Sequence, residues 1–126
     1  MLPKVLLLVV ENEAVVRLDL EDTLRDAGFS LVVAVRGDLA IAELEQNAAR
    51  FGAVLTSIKL GPGPDGWDVA RRARELVHGM PVIYMSSSTD GEWTSQGVPR
   101  SILIAKPFAA AQVVTAVATL LNQSTP

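Results

Sequence analysis

The chain has 126 residues, 14 acidic against 11 basic side chains, a formal net charge of −3 and 49% hydrophobic residues. That length carries one domain with its own core, the apolar share excludes a disordered chain, and the acid excess argues against binding nucleic acid through phosphate contacts. No cysteine is present, so disulfides and thiolate chemistry are excluded, and a lone histidine, His78, excludes a multi-histidine zinc site.

The continuous apolar run Val5 to Val10 reads as a strand buried on both faces. It is far shorter than the roughly 20 residues of a spanning helix. Met1-Leu2-Pro3-Lys4 has no signal-peptide pattern, so the expected location is cytoplasmic. Val16, Leu20, Leu24 and Ala27 follow at helical spacing, closed by Gly28 as a C-terminal cap. Phe29 to Val35 reads as a second strand, and Asp38 as the cap of a helix with Ile41 and Leu44 inward. Ala53 to Thr56 reads as a third strand.

Gly61-Pro62-Gly63-Pro64-Asp65-Gly66 must be a loop. A helix from Trp67 to Val77 follows, with Val69, Ala70, Ala73 and Leu76 or Val77 inward, Trp67 half-buried and His78 capping its end. Pro81 to Met85 is a fourth strand, Thr89 to Gln96 a short helix, Ser101 to Ala105 a fifth strand, and Ala109 to Leu121 a helix with Val113, Val114, Val117, Leu120 and Leu121 on its apolar side. Apolar strands alternating with helices imply a parallel sheet covered on both faces, an α/β doubly wound five-stranded fold in three layers. A barrel would need about twice the length.

In such a sheet, function gathers at the carboxyl ends of the strands. Glu11-Asn12-Glu13 follows the first strand, Ser57-Ile58-Lys59 the third, Ser86-Ser87-Ser88-Thr89 the fourth and Lys106-Pro107 the fifth. Each alone reads blandly, as a cap, a turn residue or a solvated charge. Together they place acids, hydroxyls and a lysine on one edge.

These residues carry a resemblance. Leu8-Val9-Val10-Glu11-Asn12-Glu13, Gly61 to Trp67, Pro81 to Ser86, and Lys106-Pro107-Phe108 resemble the receiver domain of two-component response regulators, the CheY-like family, over residues 4–121. The resemblance implies a single receiver domain in which an aspartate ending the third strand accepts a phosphoryl group from a histidine kinase. It implies magnesium held by two acids after the first strand and by a backbone carbonyl at the position of Lys59. It also implies a Ser/Thr (here Ser86) and a lysine (here Lys106) that bind the phosphoryl group and switch the opposite face. Leu103 stands where many members carry a switch aromatic, and Pro107 where the family has a cis-proline. Trp93 falls on the face used for partners, either as an exposed anchor or packed against Pro99–Leu103.

Two departures matter most. Ser57 stands at the phosphoacceptor position, since recruiting Asp65 instead would put the acceptor inside the loop, and Asn12 stands at the second acidic position. Glu11 then faces Lys106 in a pocket of net charge near zero, and magnesium should bind roughly an order of magnitude or more below a three-carboxylate pocket. A serine hydroxyl needs an adjacent base to attack phosphohistidine, and the nearby lysine is normally protonated.

The expected function is therefore that of a pseudo-receiver, a signalling protein acting through contacts with a histidine kinase, a downstream target or a second copy of itself. It binds neither membrane nor nucleic acid and is not an enzyme. Alternatives are an ordinary phosphorelay receiver inactivated by an engineered Ser57, stand-alone or excised, and a hydrolase built on a Ser57–Lys106 dyad. A nucleotide site is disfavoured because prolines in the glycine loop remove the N–H groups a phosphate cradle needs.

Overall fold

The computed structural model describes residues 4–88 and 91–123. The apolar runs become five strands, β1 (Leu6–Val10), β2 (Ser30–Ala34), β3 (Ala53–Ser57), β4 (Val82–Ser86) and β5 (Ile102–Ala105). Each is followed by a helix: α1 (Ala14–Asp26), α2 (Gly37–Asn47), α3 (Gly66–Leu76), α4 (Glu92–Gln96) and α5 (Ala110–Gln123). A 3-10 turn over Ala48–Arg50 prolongs α2 and was not legible from periodicity. The start of the fourth predicted helix, at Thr89, lies outside the described residues, as does the Met1-Leu2-Pro3 start.

All strand pairs are parallel, in the order β2-β1-β3-β4-β5, so the chain reverses direction across the sheet between β1 and β3. Successive residues of a strand point to opposite faces. Leu7 and Val9 pack with Leu20, Leu24, Val113 and Val117 under α1 and α5. Leu8 and Val10 pack with Leu44, Val69 and Ala73 under α2 and α3. Both sets are fully or almost fully buried, each large side chain contributing about 1.5–3 kcal/mol of transfer free energy. β2, at the sheet edge, is half-buried over most of its length.

Several details differ from the sequence reading. Phe29 and Val35 flank β2 rather than joining it, and Ala27 is exposed beside Gly28, whose φ of +99° provides the left-handed turn after α1. Asp38 does not cap α2. The helix begins a residue earlier, at Gly37, where a Cβ would sit 2.2 Å from the Pro64 carbonyl oxygen. Asp38 lies inside the first turn, and its hydrogen bond from Arg36 holds its carboxyl below the usual range. Trp67 is buried rather than half-buried, its ring 4.7 Å from that of Tyr84. α3 ends at Leu76 with Val77 as its cap, so exposed His78 is not the cap, and of the two alternatives Val77 turns further inward.

Candidate functional site

The carboxyl ends of β1, β3, β4 and β5 meet at one edge because all strands are parallel. Just past β1, the Glu11 amide donates to the Ala34 carbonyl (3.1 Å), which fixes the backbone and leaves its side chain fully buried. Glu11 Oε1 accepts a hydrogen bond from Ser57 Oγ at 2.5 Å and lies 2.7 Å from Lys106 Nζ. Its Oε2 accepts from the Glu13 amide at 3.0 Å. A buried carboxylate is tolerated only when paired and hydrogen-bonded, and both oxygens of Glu11 are engaged.

Lys106 is aimed by its own backbone, whose N–H donates to the Ser86 carbonyl (2.7 Å) and extends the β4–β5 ladder by one bond. Its ammonium also reaches Glu13 Oε1 at 3.1 Å. Glu13 is the member of the site that sequence reasoning missed. In the sequence it stands only as the last residue of Glu11-Asn12-Glu13, and the lysine that engages it lies 93 residues away. The Lys106–Pro107 peptide bond is cis.

Ser57 is almost fully buried at the end of β3. The chain beyond it folds back at once. The Gly66 amide donates to the Ile58 carbonyl (2.7 Å), and a Cβ on Gly66 would meet the Ser57 carbonyl oxygen at 2.2 Å, so only glycine lets α3 start this close to the site. Asp65 is committed elsewhere: its carboxylate accepts from the Asp68 amide, and the Asp68 carboxylate accepts from the Asp65 amide, capping α3 reciprocally.

Ser86 is buried, and its hydroxyl is held in a local turn, donating to the Ser88 carbonyl (2.9 Å) and accepting from the Ser88 amide (3.2 Å). A hollow of about 40 Å³ is lined by Ser57, Ser86, Lys106, Glu13 and Lys59. Lys59 is exposed and stands at the rim, and Asn12 is exposed. The charges around Ser57 are thus two carboxylates, Glu11 and Glu13, against two ammonium groups, Lys106 and Lys59. The net charge is near zero, by a fuller set of residues than Glu11 and Lys106 alone.

The chain is matched by the response regulator receiver domain model over residues 7–118. It belongs to that family. The receiver domain is 46% identical to a response regulator receiver protein from Sinorhizobium medicae, with a TM-score of 0.91 over 97% of this chain and 98% of that one. It is 31% identical over 118 residues to the transcriptional regulatory protein PrrA of Mycobacterium tuberculosis, covering 92% of this chain and 49% of PrrA. It is 26% identical over 107 residues to the phyllosphere-induced regulator PhyR of Methylorubrum extorquens, covering 85% and 40%. The chain spans about half or less of the length of these curated relatives. No helix among the described residues is long and apolar enough to cross a membrane.

Away from the edge, Leu103 is partly buried against the same core as Trp93 and pairs in register with Tyr84, which supplies the aromatic ring next to that position from β4. Trp93 is not a free anchor. It packs partly into the core, and its indole N–H donates to Ser101 Oγ (3.0 Å), whose own hydrogen goes to the Val98 carbonyl (2.7 Å). Of the two sequence readings, packing against the 99–103 segment is the one the structure contains.

Proposed function

We propose that this receiver domain signals through protein contacts and does not accept a phosphoryl group at the end of β3. The observation that carries the reading is the Ser57–Glu11–Lys106 arrangement. The residue at the strand end is a neutral hydroxyl whose hydrogen bond is directed at a buried carboxylate. Lys106, as the cation of an ion pair with that same carboxylate, is not placed to take the Ser57 proton, so a Ser–Lys dyad is not assembled.

The family implies magnesium at this edge, and the donor set here does not fit it. Magnesium favours an octahedral shell with anionic oxygens free to bind. Among the described residues no group of three or more acidic or histidine side chains could hold a metal. Asn12 contributes no charge, and Glu11 and Glu13 both face the Lys106 ammonium. No step is assigned to a metal.

In its place the receiver domain would present a fixed surface to a signalling partner, a histidine kinase or a downstream protein. Incubation with a small phosphodonor and magnesium, followed by intact-mass measurement, tests this. The expected result is an unchanged mass and no spectroscopic response to beryllofluoride. A stoichiometric phosphoryl adduct on Ser57 overturns it.

A further inference from the structure

At the opposite, amino-terminal edge of the sheet, Arg74 near the end of α3 and Arg100 in the turn before β5 line one pocket of about 110 Å³ with Gly79, Pro81, Leu120 and Gln123. Arg74 is fixed there. Its Nε donates to the Met80 carbonyl (2.5 Å) and its Nη1 to the Pro99 carbonyl (2.6 Å), which uses two of the five guanidinium donors and leaves three. Arg100 has a φ of +60°, a conformation costly for a residue with a Cβ, and it is exposed.

Neither guanidinium meets a carboxylate among the described residues, whereas Arg50 in the turn after α2 and Arg71 and Arg72 in α3 each do. Burial lowers the Arg74 pKa, and the charge of Arg100 lowers it further, so the two cations feel each other. The carboxyl ends of α3 and α5 bring about half a negative charge each to this edge, which offsets but does not cancel two full positive charges. Two guanidinium groups that line one concave site and have no carboxylate partner among the described residues offer the remaining donors a tetrahedral anion needs.

We propose that the Arg74–Arg100 pocket binds a phosphate-type oxyanion, either the free ion or a small phosphate monoester. The anion would neutralise the pair and tie the 98–101 segment to the end of α3. This site is remote from Ser57 and independent of whether Ser57 accepts a phosphoryl group.

The test is an amide NMR titration of the full chain with inorganic phosphate and, separately, with glycerol phosphate, at ionic strength held constant by chloride. Saturable shifts are expected at Gly79, Arg100 and Gln123. Arg100→Asn suits the left-handed backbone while removing the charge, and should weaken binding by about tenfold or more. Arg100→Lys should bind more tightly than Arg100→Asn. A stronger response to glycerol phosphate assigns a monoester, and a stronger response to phosphate assigns the free ion. Shifts that never saturate, or a curve unchanged in Arg100→Asn, overturn the proposal.

Discussion

Lys106→Met asks how much of the fold's stability depends on neutralising Glu11. Glu11 is fully buried, and the Lys106 side chain is only 12% exposed, so the substitution leaves a carboxylate at the end of β1 without its 2.7 Å counter-ion. Removing one partner of a buried pair costs about 3–5 kcal/mol. Two hydrogen bonds to the carboxylate survive, from Ser57 Oγ and the Glu13 amide, and the lysine position gives water some access, which brings the expectation to about 2–3 kcal/mol. The second contact, with Glu13, adds under about 1 kcal/mol because that side chain is 60% exposed. With a urea m-value of about 1.5–2 kcal/mol/M, the unfolding midpoint should fall by about 1–2 M. Glu11→Gln in the Lys106→Met background removes the orphaned charge and should recover most of the loss, giving a coupling of about 2 kcal/mol in the double-mutant cycle. Circular dichroism at neutral pH reads all four proteins. If Lys106→Met shifts the midpoint by less than the error of the fit, or the two changes simply add, then the ion pair is not what holds this edge together.

Ser57→Asp should place a second acid beside Glu11 and raise magnesium affinity, measured by calorimetry, with slow and incomplete phosphorylation because Asn12 stays neutral. Adding Asn12→Asp should complete it, and full phosphorylation kinetics in the single variant would show that Asn12 matters little. Tyr84 supplies a pH dependence. Burial raises its phenol pKa above the usual 10.0, the hydrogen bond from the Val98 amide opposing the shift. A raised folded-state value means stability is fully present below pH 10 and is lost as pH rises through the folded pKa. The urea midpoint should therefore decline above about pH 10, and Tyr84→Phe should flatten that decline. An identical decline in Tyr84→Phe would assign the effect to other groups.

The sheet, its helices and the residues that share its carboxyl edge are legible in the local pattern of the chain. Runs such as Leu6–Val10 have no polar alternation, so they can be stable only when covered on both faces. Leu20 and Leu24, or Val113, Val117 and Leu120, recur at the period of a helix and have one face to bury. Parallel topology then brings Glu11, Ser57, Ser86 and Lys106 to one edge without any knowledge of side-chain positions.

The family's motifs assigned these residues their places, and what each one touches was decided elsewhere. Lys106 reaches Glu13 because the parallel order brings the carboxyl ends of β1 and β5 to the same edge, where α1 begins just after Glu13. Trp67 was drawn into the core by Tyr84 from the adjacent strand, and Trp93 was tied to Ser101 across a turn. Arg74 and Arg100 are 26 residues apart, a separation no local pattern records, and they face one pocket only because α3 and the turn before β5 end at the same edge. Local periodicity reports which face a residue must hide. The partner it finds there is fixed by strand order and register, which bring distant segments together only once the sheet has closed.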